Sequence, residues 1–573
     1  MNRLRYGVGL ILAAAACGLG DVGVPTLPLA GEPGPAATTR QTPPADCVEP
    51  ACQLFPLAPS PHAVRLTTIQ WKRTVRDLLK LSTLPGSPVV DFPPDPAASA
   101  DRFGSEAGDL IVTTQHWAAY QKAAEALVSD DSFALDSLLP AAAKSGDQTT
   151  RIAAFVTDVL PRAYRRAVTS KEIADVIAAS EAASAPVTTG DPFVTRVKWI
   201  LTSVLQSPKF LYRITLGDGP VTDKRARLGS YEIAAKLSYG LWGTMPDDSI
   251  TALARDGKLV TSAGVAEAAR AMLADPRAAT AIAEFHDTLY LVDHYPEVKN
   301  RPLEDYPRFY TEFAQDAQQD VRRTVEELIT KGDGGLKELD TSTVAFVNTR
   351  LAYVYGLDPN TIPELANASG PDVFVKIQMD PTQRKGLLMH PGWLTYEAAS
   401  KEPSPIKRGA YIARHVLCTP LGSPPPGAAG ADPSKAPGAT NRLRVEATTK
   451  GCGDGCHGGK AGVINPLGFS FEGFDSIGQV RLTDNNVPVD TKSEADVIGK
   501  FDGAVGLFDL VSTNARAHAC YAAHWSAYLN GTSLIDVTPR HLSPALAKSL
   551  KGASVREIIV ELVQTDAFLT VSR

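Results

Sequence analysis

Past about Gly20 the sequence has no apolar run long enough to cross a bilayer, which excludes a helical membrane span over the rest of its 573 residues. It has no basic excess either. Its 57 lysines and arginines against 63 aspartates and glutamates leave a net charge of −6, without the positive footprint that nucleic acid needs. Hydrolase signatures are missing: Ser105 and Ser230 stand outside any Gly-x-Ser-x-Gly elbow, and no His-Glu-x-x-His run occurs. The glycine-rich stretch from Gly451 to Gly459 lacks the Lys-Ser or Lys-Thr pair of a phosphate-binding loop. Tryptophan is scarce, 6 in all and dispersed, so Trp242, Trp393 and Trp525 are expected in the core rather than along a saccharide groove. Methionine is scarcer still, 5 in all with none after Met389.

What the sequence does contain is Cys452-Gly453-Asp454-Gly455-Cys456-His457. Two cysteines followed by a histidine read as a covalent haem attachment. Each thiol adds to a vinyl group as a thioether, and the histidine lies under the iron as an axial ligand. Three residues separate the cysteines where two are usual, and Gly453 and Gly455 give the wider loop its backbone freedom. Two other readings stand beside this one: a small Cys452–Cys456 disulfide, and a zinc held by both thiolates with His457. Further on, Asn465-Pro466-Leu467-Gly468 reads as a turn, either simply a turn or one whose Pro466 carbonyl accepts the proton of the proximal imidazole's other nitrogen. Because no methionine follows Met389, the usual sixth iron ligand is missing. The candidates are His524, His518, Met389 and His390, of which His524 is preferred; the alternative is a sixth position open to a small ligand.

Compartment decides how the other cysteines are read. A basic head with Arg3 and Arg5, an apolar run from Tyr6 to Ala16 and the small residues before Cys17 make residues 1–17 a secretory signal with a lipobox-like end. Cleavage at Cys17 with lipid attachment there is expected, with plain export as the alternative. Residues 18–64, rich in proline and alanine, form a tether. The chain is thus expected outside the cytoplasm, as a lipoprotein of the cell envelope, at the outer membrane. With Cys452 and Cys456 on haem, the simplest pairing in that oxidising setting is Cys47 with Cys52 and Cys418 with Cys520.

From Arg65 onward the patterning is mainly α, divided into helical segments 65–145, 146–216 and 217–384, a haem-motif segment 385–490, and a helical segment 491–573. Leu66, Ile69, Val75, Leu78 and Leu79 recur at helical spacing, and a second helix runs from Thr113 to Val128. Thr169 caps a helix ahead of Glu172. Phe193 to Leu216 reads as one long striped helix. Strand-like alternation is scarce before Phe374 to Gln378, and a small β excursion surrounds Val487 to Asp490. Asp91, Asp95, Asp101, Glu106 and Asp109 lack calcium-ligand spacing and read as a solvated acidic loop.

Several pieces in this order resemble one family. They are Arg65-Leu66-Thr67 with Val75-Arg76-Asp77-Leu78-Leu79, then Ala163-Tyr164-Arg165-Arg166, then Gln206-Ser207-Pro208-Lys209-Phe210, and Leu237-Ser238-Tyr239-Gly240-Leu241-Trp242. Phe346-Val347-Asn348-Thr349-Arg350-Leu351, Ser404-Pro405-Ile406-Lys407-Arg408-Gly409 and Asn465-Pro466-Leu467-Gly468-Phe469 follow. Together they resemble the planctomycete-type cytochrome-like secreted proteins, exported multi-domain chains of uncharacterised function. The resemblance spans Arg65 to Arg573. It implies a mainly helical body with a small C-terminal cytochrome-c-like domain containing minor β structure. The family pattern has two residues between the cysteines, and this chain departs from it with three.

The resulting expectation is an exported protein with one covalent haem c that transfers electrons outside the cytoplasm, or oxidises a small ligand if the iron is open. The alternative is a haem-free envelope lipoprotein acting as a binding or scaffold module. The sequence identifies no redox partner. The lipid anchor is the expected contact with the membrane, and other envelope proteins are the expected partners.

Overall fold

Reciprocal side-chain caps start two of the N-terminal helices. Thr67 accepts the Gln70 amide at 3.2 Å while the Gln70 side chain takes the Thr67 amide at 3.3 Å, which opens the helix Thr68–Leu78. The same box between Thr169 and Glu172 opens Ser170–Ser184. The computed structural model describes residues 60–86, 91–98, 103–104, 106–129, 134–186, 190–298, 300–421, 433–450, 457, 462–534 and 542–573.

Helices Thr68–Leu78, Thr114–Ser129, Gln148–Tyr164 and Pro192–Leu205 bury their apolar stripes against one another around Trp71, Tyr120, Phe155 and Ile200. The long helix expected from Phe193 to Leu216 stops at Leu205. Ser207 caps a new four-residue turn opened by Pro208, whose ring cannot continue the old helix. Tyr212–Ile214 then extends as a strand antiparallel to Ala63–Arg65, with Val64 opposite Arg213. Arg165, left-handed at φ 54°, ends the helix Gln148–Tyr164 and donates to the carbonyls of Phe210 at 2.8 Å and Tyr212 at 2.9 Å. The Ala163–Arg166 motif therefore fastens the strand that closes this body.

A second core runs from Ala226 to Val571 and takes in Phe103 from the N-terminal part; helices Ser230–Leu241, Arg277–Leu289, Phe313–Val325 and Ala515–Asn530 surround Phe285, Tyr295, Trp393 and Trp525. Strand Thr570–Ser572 pairs antiparallel with Arg225–Arg227 and so returns the last residues to the start of this body. Val344–Val347 pairs in the same sense with Val375–Gln378. The fold is multi-helical, with short antiparallel strands and minor β structure near the C-terminal end. An Arg73–Glu284 ion pair joins the two bodies, and the helix Ser230–Leu241 spans both cores, sending Tyr239 into the first with its hydroxyl 2.9 Å from that of Thr74. Trp242, Trp393 and Trp525 are all buried, and none presents its ring to a groove.

Candidate functional site

Within residues 385–490, three short helices position the motif residues: Pro405–Tyr411, Asn441–Thr449 and Ile464–Phe469. Ser404 and Thr440 cap the first two through their hydroxyls. In the third, Pro466 occupies a first-turn position whose amide would have no helical partner, so the stretch read as a turn is helical. Two quoted motifs meet where these helices cross. A Cβ on Gly409 would lie 1.9 Å from the Ile464 carbonyl oxygen, and one on Gly468 would lie 2.0 Å from that of Pro405. Only glycine admits this approach, which fixes where the start of the third helix sits.

That position gives Asn465 its role. The Nδ1 atom of His457 lies 3.0 Å from Asn465 Oδ1, Asn465 Nδ2 lies 2.8 Å from Thr449 Oγ1, and Thr449 Oγ1 lies 2.8 Å from the Val445 carbonyl. The direction of each bond follows by elimination. A carbonyl only accepts, so Thr449 spends its one hydroxyl proton on Val445 and must accept from Asn465. The carboxamide therefore turns its NH2 to Thr449 and its oxygen to His457. An amide oxygen also only accepts, so Nδ1 carries a proton and, in the neutral imidazole, Nε2 keeps its lone pair available. His457 is half-buried, and its Nε2 has no hydrogen-bond partner among the described residues. One of the two readings of this stretch gave the role to the Pro466 carbonyl; in the structure the side chain of the neighbouring Asn465 has it. Asn465 belongs to a motif visible in the sequence, but nothing local marks Thr449, 16 positions earlier, as its partner.

Arg408 locks the same region from inside. Fully buried, it donates to the carbonyls of Leu394 at 2.7 Å, Asp475 at 3.0 Å, and Phe471 and Phe474 at 3.2 Å each. Burial pulls its pKa down to about 10, which still leaves it charged at neutral pH.

Of the other sequence-predicted residues, Cys17, Cys47, Cys52, Cys452 and Cys456 lie outside the described residues. Cys418 and Cys520 form a disulfide across a separation of 102 positions. His524 is buried beside it: its Nε2 lies 3.0 Å from the carbonyl oxygen of His415, and one ligand atom from each of Cys418, Cys520 and His524 falls within 4.8 Å of the others. His518 is a satisfied core histidine, bonded to Ser549 Oγ at 2.6 Å and to the Ser512 carbonyl at 3.0 Å. His390 faces Asp320 at 2.9 Å, and Met389 is fully buried. His457 hydrogen-bonds to none of these four sixth-ligand candidates. Asp95, from the acidic loop, is committed to Arg65 at 2.8 Å and to the Thr68 amide at 2.5 Å.

Replacing Cys418 and Cys520 by serine is expected to cost about 2–5 kcal/mol, because the bridge closes a long loop of the unfolded chain. Urea unfolding would register this as an earlier midpoint, whereas an unmoved midpoint would mean that the loop is held by packing alone.

Four family models match the chain in order. PSD3, a protein of unknown function (DUF1587), covers residues 65–130, and PSD5 (DUF1595) covers 151–214. PSD4 (DUF1592) covers 228–357 and PSCyt3 (DUF1588) covers 384–484, each also described as a protein of unknown function. The PSCyt3 segment contains Arg408, Gly409, Thr449, His457, Asn465 and Gly468. No curated protein and no solved structure matches the chain.

Proposed function

The chain belongs to the planctomycete-type cytochrome-like multi-domain proteins, and on that premise we propose that it is an exported haem c protein that transfers electrons outside the cytoplasm. The observation that carries the reading is the relay from His457 through Asn465 to Thr449, which supports an imidazole presenting Nε2 as a ligand. Cys452 and Cys456 would hold the haem through thioethers and His457 would bind its iron; the group would supply one-electron chemistry.

The chain's own residues set the ring's tautomer and orientation and fix the helix that carries Asn465. His524 would reach iron through Nε2 only by giving up its bond to the His415 carbonyl, which supports a sixth position open to a small ligand. No helix among the described residues is long and apolar enough to cross a membrane. We place the protein in the cell envelope, anchored by lipid on Cys17.

The test is covalent haem content after expression with a cytochrome maturation system, read by haem stain on denatured protein and by the reduced absorption spectrum. A protein-bound haem c band is expected. Loading of a control cytochrome but not of this chain would replace the reading with a haem-free binding or scaffold module. In loaded protein, Asn465→Leu is expected to keep the covalent haem but weaken the His457–iron bond by roughly 10–100-fold, the usual cost of losing such a support. Competition by added imidazole measures this, and unchanged competition would remove Asn465 from the site.

A further inference from the structure

Beside the outer face of Pro405–Tyr411 and the residues that continue it opens a cavity of about 730 Å3. Three cationic side chains from separate parts of the chain line it: Arg301, Lys407 and Arg414. Most buried or half-buried arginines of this protein face a carboxylate or a set of carbonyls. By contrast, none of these three forms an ion pair among the described residues.

Arg301 is the informative one, because it is only 7% exposed. One of its Nη atoms donates to the Thr395 carbonyl at 2.7 Å, while its Nε is buried with no hydrogen-bond partner. A guanidinium withdrawn from water without a counter-charge is costly, and burial lowers its pKa accordingly. Two carboxylates also line the cavity, but neither offsets the three cations well. Glu297 is taken by His294 Nδ1 at 2.8 Å. Glu397 is buried, and that burial raises its pKa against the pull of Lys407 and Arg408.

The volume falls in the range of small-molecule pockets, about 300–1,000 Å3, far more than a single inorganic oxyanion fills. Guanidinium forks match carboxylates in geometry, and a lysine adds a point charge. We propose that this cavity binds an organic anion carrying two or more carboxylates, held by Arg301, Lys407 and Arg414. Two sources present that chemistry: the propionates of a haem attached at Cys452 and Cys456, and a soluble polycarboxylate.

Citrate is the probe, titrated calorimetrically into the full chain in three forms. These are the haem-loaded protein, the haem-free Cys452→Ala/Cys456→Ala variant, and that variant with Lys407→Gln/Arg414→Gln added. Lys407 and Arg414 are both exposed, so their replacement spares the core. Saturable binding to the haem-free chain is expected, weakened at least about tenfold by the added pair at an unchanged melting temperature. Arg301→Gln is the second variant and is expected to weaken binding similarly. Binding that persists after haem loading assigns the site to a soluble anion, and binding lost on loading assigns it to the propionates. Citrate that fails to bind the haem-free chain, or binds it regardless of these substitutions, overturns the proposal. A chain that loads no haem leaves the citrate arm intact, so the two readings fail separately.

Discussion

Replacing Cys452 and Cys456 together by alanine is expected to abolish covalent haem and to leave the core between Leu66 and Leu211 folded. The first half follows from chemistry, since thioethers form only through thiols, so haem staining after denaturation should fall to background. The second follows from packing. Trp71, Tyr120, Phe155 and Ile200 are buried against one another, Arg165 and the pairing of Ala63–Arg65 with Tyr212–Ile214 close most of that body, and Tyr239 and Met245 complete its core, so it runs from about residue 63 to 245. Limited proteolysis of the double variant should therefore release a resistant fragment spanning this region. Loss of the whole chain's structure would show that the two cores fold as one unit and that the attachment loop has a structural role throughout.

Arg408→Met is expected to destabilise the second core by about 3–5 kcal/mol, the usual scale for removing one member of a buried charged network. The methionine fills much of the space, but the carbonyls of Leu394, Phe471, Phe474 and Asp475 lose their shared donor inside the protein. The Phe471 and Asp475 carbonyls keep the amides of Phe474 and Gly478, so the loss falls on those of Leu394 and Phe474, each costing on the order of 1–3 kcal/mol without simple additivity. Arg408→Lys should recover little, since an ammonium cannot span acceptors placed around a planar fork. The buried Trp393, close to Phe471, offers a fluorescence signal for the urea transition. A shift worth less than about 1 kcal/mol would mean that water replaces the guanidinium, and the region would be less tightly sealed than its burial implies.

These results separate local from distant causes. The cap at Thr169 ahead of Glu172 was legible because both partners lie within one turn, and the structure adds the same box at Thr67 with Gln70. The Cys452-to-His457 spacing is equally local, but its two cysteines lie outside the described residues. The apolar stripe after Phe193 misled, because periodicity continues through Phe210 and Leu211 although Ser207 and Pro208 restart the chain. Tyr212–Ile214 becomes a strand only because Ala63–Arg65 supplies its hydrogen bonds, and Thr570–Ser572 depends on Arg225–Arg227 in the same way.

By itself the sequence determined the helical class, since helical periodicity and caps rest on residues a few positions apart. Tertiary structure alone decided which ring nitrogen of His457 carries the proton. The tautomer of His457 depends on Asn465, and the orientation of Asn465 depends on Thr449. Asn465 reaches both because Gly409 and Gly468 let two helices approach closer than any side chain allows. The same glycines stood in the sequence as motif letters, and only the crossing of the helices gave the reason for them.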